Sequence, residues 1–157
     1  PDLAAGEARI ARSLDDGSAL RKFQQMVQAQ GGDPAIGDDP EGVLGRVWKA
    51  PEITTMNAWT AGTVARMDAL EIGMAAVRLG AGRSKSSDPV DPRGGFVLAR
   101  KPGDSVDQGE PLVVIHAASP SAVEDAAKRL RAAIDIAEPG HDVAIPPLFG
   151  DVHAQAT

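Results

Sequence analysis

Cysteine and tyrosine are absent from this 157-residue chain, and its aromatic residues are only three Phe and two Trp. Without a thiol, disulfides, thiolate nucleophiles and thiolate-bound metals are excluded. With so few rings, the core must be filled by Val, Leu, Ile, Met and an unusual share of Ala. No run of about 18 apolar residues is present, so no membrane-spanning helix is expected. The opening P-D-L-A-A-G-E-A-R lacks the basic-then-apolar profile of a signal peptide, and a cytoplasmic location is expected. Basic runs are also missing: 16 Lys and Arg face 22 acids, for a net charge of −6, which argues against a nucleic-acid partner. What remains is a chain with 43% apolar residues, enough for one ordinary domain or a small domain with a helical appendage.

Two short helices are predicted first. Leu3, Ile10 and Leu14 share one face, and Asp15-Asp16-Gly17 ends that helix with a glycine suited to a left-handed cap. Ser18 caps a second helix over Ala19–Gln30, where Leu20, Phe23, Met26 and Val27 form an apolar stripe before Gly31-Gly32-Asp33-Pro34 stops it. Such a hairpin cannot bury both of its stripes unaided. Residues 31–46 are rich in Gly, Asp and Pro and read as a linker or extended connector. Strand candidates follow at Val47–Ile53, Thr54–Trp59 and Thr63–Met67. Asp68 opens a helix with Glu71 at capping-box spacing, and Gly80-Ala81-Gly82 closes it. Strands are expected at Phe96–Arg100 and Leu112–Ala117, then a helix from Ser119-Pro120-Ser121 to about Ala137, with Ser121 and Glu124 also at capping-box spacing. Val143–Leu148, broken by Pro146-Pro147, reads as an edge strand or tail. Gly62-Thr63-Val64-Ala65-Arg66 resembles Gly95-Phe96-Val97-Leu98-Ala99-Arg100, a weak repeat that would build a barrel-like sandwich.

Chemistry-bearing residues are few. Gly80-Ala81-Gly82-Arg83-Ser84-Lys85-Ser86 has the elements of a phosphate-binding loop in the wrong order, because glycine must directly precede Lys-Ser and the loop must lead from strand to helix. Gly80 is read as a helix terminator, with anion binding by Arg83 and Lys85 as the lesser alternative. His116, His141 and His153 lack the spacing of metal ligands, and His116 is read as a strand-end residue. Ser84, Ser86 and Ser87 have no histidine partner in sequence, and Asp38-Asp39 and Asp88/Asp91 sit beside prolines where turn formation explains them. No catalytic, substrate-binding or metal residue is assigned, and no cofactor is implied. The G-D-S-V-D-Q-G-E-P-L segment at Gly103–Leu112 reads as a double turn with Val106 pointing into the core, a pattern shared with biotinyl and lipoyl carrier domains. A carrier also needs a lysine at a hairpin tip in an M-K-M or D-K-A context, and Lys85 has neither.

Taken in order, Ala29-Gln30-Gly31-Gly32-Asp33-Pro34, Asp39-Pro40, Leu79-Gly80-Ala81-Gly82-Arg83, Gly103-Asp104, Gly109-Glu110, Ile115-His116-Ala117 and Pro146-Pro147-Leu148 resemble the C-terminal region of the thymidine and pyrimidine-nucleoside phosphorylases. Thr63, where the family often has an aromatic, and Gly94-Gly95, where it commonly has Val-Gly, depart from the pattern at strand edges. The resemblance implies an α+β fold: a C-terminal α/β-hammerhead, barrel-sandwich-like domain preceded by a helical hairpin. It divides the chain into residues 1–32, the end of the family's large α/β domain; a linker, 33–46; and the C-terminal domain, 47–157. It implies homodimers that catalyse phosphorolysis, with phosphate and a pyrimidine nucleoside as partners and thymine and 2-deoxyribose 1-phosphate as products of thymidine.

The family signature S-G-R-x-x-x-x-x-G-G-T-x-D has no counterpart in the chain. The expectation is therefore the C-terminal portion of a pentosyltransferase, inactive alone, with its catalytic residues in an N-terminal portion outside these residues. Thymidine and uridine are not distinguished. Two rivals stay open: a non-catalytic stand-alone interaction module and, less favoured, a carrier domain.

Overall fold

The computed structural model describes residues 2–47, 49–83 and 85–145. The chain divides into two compact units, Pro1–Lys49 and Ala50–Thr157.

The first unit is helical. α1 (Leu3–Asp15) starts at Asp2, whose carboxylate accepts from Ala5 N, and α2 (Ser18–Ala29) follows directly after Gly17. The predicted stripes are both present and largely exposed: Leu3, Ile10 and Leu14 on α1 and Leu20, Phe23 and Met26 on α2. The stretch expected as a linker is instead helical. Asp33 caps a 3-10 turn, Pro34–Gly37, and α3 (Pro40–Val47) begins with Asp39 Oδ1 accepting from Gly42 N at 2.9 Å. Aspartate followed by proline starts a helix as readily as it makes a turn, because the side chain caps free N–H groups and proline supplies helical φ at the first position. Val47, expected to open a strand, ends this helix.

The second unit is α+β, with two three-stranded antiparallel sheets. One has the order β1 (Glu52–Asn57), β5 (Pro111–Ala117), β3 (Gly95–Leu98); the other has β4 (Ser105–Val106), β2 (Gly62–Met67), β6 (Ile134–Ala137). The two strand candidates at 47–59 are thus a single strand, β1. α4 (Ala69–Ala76), prolonged by a wider π-like turn over Val77–Ala81, and α5 (Pro120–Ala133) lie against each other. Val64, Leu112, Val113, Ile115, Leu130 and Ile134 are the largest fully buried side chains, so the core is aliphatic, as the dearth of aromatics requires. Phe96 and Trp59 pack only at its margin, Trp59 with the Arg131 guanidinium 3.5 Å from its ring centroid.

The predicted helix running to Ala137 stops at Ala133, and residues 134–137 are β6 instead. Ile134 and Ile136 flank Asp135 in an alternating pattern, and both β-branched residues suit a strand beside β2. The helical reading failed because the helix and strand abut without a turn residue between them. Ser121 and Glu124 do not form the capping box: Ser119 is the cap, its Oγ accepting from Ala122 N at 3.3 Å. The repeated segments become strands in different sheets, β2 central and β3 at an edge. Of the tail candidate Val143–Leu148, residues 143–145 carry no strand, and the remainder lies outside the described residues, as do Ser84 and His153.

Candidate functional site

The double turn at 101–112 is built as its residues dictate. Asp104 Oδ2 accepts from Lys101 N at 2.7 Å, closing the first turn, and Val106 is buried in the core. Val64 N donates to Asp104 O and Gly103 N to Val64 O, so the turn continues the ladder of β2. At the second turn, Glu110 Oε2 accepts from Asp107 N and from Arg100. The Asp107 amide first, then Arg100, holds the Glu110 carboxyl below its ordinary value. These groups satisfy one another, which is the chemistry of a turn.

The segment at 80–93 is equally self-contained. Gly80 stands at φ 93° and ψ 0°, a left-handed conformation that terminates the helix, and Asp91 N donates to its carbonyl at 2.8 Å. No strand-to-helix loop is formed here, so the phosphate-loop geometry is absent at this segment. Asp91 takes three bonds from Arg93, through the backbone N, Nε and Nη2, and the guanidinium above all lowers its carboxyl's pKa. Asp88 accepts from Lys85 N at 2.8 Å, fixing the turn between them. The Asp88/Asp91 pair is therefore committed to two separate local structures. Arg83 and Lys85 are both exposed, and no hydrogen bond or ion pair of either side chain is formed among the described residues.

Asp38 and Asp39 part in the same way: Asp38 accepts from Gln24 at 2.9 Å, while Asp39 caps α3. His116 pairs across β5 with Ile53 on one side and Gly95 on the other. His141 N closes a turn on Glu138 O. Ser86 and Ser87 are exposed. Among the described residues no group of three His, Cys, Asp or Glu could hold a metal ion, and no helix is long and apolar enough to cross a membrane.

A cluster that sequence reading missed is the one at Arg66. Its Nε donates to Asp135 at 2.8 Å and its Nη1 to Asp68 at 3.0 Å, joining β2, β6 and the start of α4. Asp68 Oδ1 also accepts from Glu71 N, and that backbone bond, followed by the charge of Arg66, lowers the Asp68 pKa. The partner Asp135 lies 69 residues away, so no local pattern could announce it. Arg66 and Asp135 are exposed and Asp68 half-buried, and all three are mutually paired, an arrangement that locks elements together.

Residues 63–137 match the family described as "Pyrimidine nucleoside phosphorylase C-terminal domain". The chain is similar to the pyrimidine-nucleoside phosphorylase of Staphylococcus aureus (strain bovine RF122), at 36% identity over 136 residues, covering 87% of this chain and 30% of the relative. It is similar also to that of Bacillus subtilis (strain 168), at 39% identity over 115 residues, covering 73% of this chain and 26% of the relative. The chain thus spans about 30% of the length of the curated relatives it matches.

Proposed function

We propose that this chain is the C-terminal part of a pyrimidine-nucleoside phosphorylase, whose C-terminal-domain family residues 63–137 match, and that the whole protein catalyses the reversible phosphorolysis of pyrimidine nucleosides, thymidine among them. Phosphate would attack the anomeric carbon, the base would leave, and a pentose 1-phosphate would form. Donors to the departing base and cations around phosphate carry such a reaction. The catalytic residues are proposed to lie in the part of the enzyme these 157 residues do not include. The observation carrying this reading is the match over 87% of this chain against 30% of the relative. It is supported by the lack of the S-G-R-x-x-x-x-x-G-G-T-x-D signature.

In the same reading, the 1–32 hairpin is the end of the large catalytic domain, and its exposed stripes pack on that domain. The second unit is of the hammerhead, barrel-sandwich type, an arrangement its two three-stranded sheets and its G-D-S-V-D-Q-G-E-P-L double turn favour. The assembled enzyme is proposed to be a cytoplasmic homodimer. The carrier alternative loses ground because β2 and β3 are separated by α4 and a turn-rich loop, leaving no hairpin tip for Lys85 to occupy. A stand-alone interaction module has no specific observation in its favour.

Thymine release from thymidine and phosphate tests the proposal, measured with these residues alone and with the N-terminal portion supplied. No release alone and turnover with the supplement is the expected result. Turnover by the 157 residues alone would place the chemistry in this chain after all.

A further inference from the structure

A groove of about 390 Å³ runs between α4, with its extension, and α5. Its floor is small and apolar, formed by the buried Ala75, Leu79 and Ala126. Its rim carries Arg78, Ser121, Asp125 and Arg129, all exposed. Among the described residues neither guanidinium makes a hydrogen bond or an ion pair, although four of the other arginines (Arg46, Arg66, Arg93 and Arg100) are each paired with a carboxylate. The contrast is sharpest at Arg129, because Asp125 lies one helical turn N-terminal to it, a spacing that favours an intrahelical pair. Two unpaired cations bordering one cavity, in a chain of net charge −6, mark a local reversal of sign.

We propose that this groove binds a phosphate monoester of a small polyhydric alcohol. Guanidinium forks match phosphate oxygens in bidentate fashion, and Arg78 and Arg129 would approach from the two helices. The Ser121 hydroxyl, 3.1 Å from Ser119 Oγ, adds a donor in the first turn of the 14-residue α5 when it accepts from Ser119, and the positive end of the helix dipole also favours an anion there. Asp125 sets the rest of the ligand. Its carboxylate opposes a bare dianion and accepts from a hydroxyl, so the molecule must offer an alcohol donor within reach of its phosphate. The groove's volume stands near the lower end of small-molecule sites, which limits the alcohol to a few carbons. This inference does not rest on the catalytic reading above.

Glycerol 3-phosphate is the probe, titrated calorimetrically into the full 157-residue chain, with inorganic phosphate as its comparison. Saturable binding is expected, tighter for the ester than for phosphate. Arg78→Gln and Arg129→Gln should each weaken it about tenfold, the scale of a lost charge-assisted bond, with unchanged circular dichroism because both side chains are exposed. Asp125→Ala, which removes both the negative charge and the acceptor, should strengthen inorganic phosphate binding while erasing the ester's advantage. Absence of saturable binding, affinities equal in the arginine variants and the parent, or no preference for the ester would each overturn the proposal.

Discussion

At Gly62 the backbone of β2 runs so close to β6 that a Cβ placed there would collide with the carbonyl oxygen of Ala137 and press on Ile136. The residue is itself buried, so no rotation of a flexible neighbour can relieve the contact. Gly62→Ala should therefore cost about 1–3 kcal/mol, the scale of overpacking in a tight interior, lowering Tm by roughly 5–10 °C. Thermal unfolding followed by circular dichroism checks it, and an unchanged Tm would show that β6 can shift aside. Sequence reading placed Gly62 just before a strand, Thr63–Met67, but did not supply the reason for glycine there, since the colliding atom belongs to a residue 75 positions on. The reverse holds for Asp104 and Gly80. Their roles depend on neighbours within a turn, and both were legible from sequence alone. The same locality explains why Asp39, Asp88 and Asp91 held no chemistry, each carboxylate being consumed by a cap or turn beside it, whereas Asp38 is taken up by Gln24, 14 residues away.

Among the elements, α4 is held at its start from two directions. Asp68 accepts from Glu71 N, while its own backbone N donates to Ala133 O at 2.9 Å, so the return half of the capping box is replaced by a bond to the end of α5. The folded-state pKa of Asp68 is lowered. A depressed carboxyl contributes stability that is full above its unfolded value, about 3.9, and is lost as pH falls through the lower folded value. Asp68→Asn keeps an acceptor for the cap but removes the titration. Its Tm should fall less steeply than the parent's below about pH 4; parallel acid limbs for the two proteins would count against this role. The helix-to-strand change at Ile134 belongs to the same scale. An isoleucine suits either a helix face or a strand, and its state was decided by β2, whose edge needed a partner.

Considered as a whole molecule, the chain is one unit with an aliphatic core and one helical unit in which Leu3, Ile10, Leu14, Leu20, Phe23 and Met26 are exposed. The second unit should unfold cooperatively by itself, so deleting residues 1–49 should leave its thermal transition in place. The loss of that transition in the shortened chain would show that the helices are needed for it. The exposed stripe makes a further expectation: Leu14→Gln with Phe23→Gln should reduce self-association, seen by sedimentation, without moving that transition. The sequence by itself determined the helical hairpin, the aliphatic core, and the turns at 80–82 and 101–110, because caps, turns and periodic faces depend on residues only a few positions apart. Only the tertiary structure decided that β1 is a single strand and that the chain leaves α5 directly into β6. It alone brought Arg66 to Asp135, and Arg78 to the groove beside Arg129. These outcomes turn on contacts between residues tens of positions apart, where packing and strand pairing outweigh the small energies of local preference.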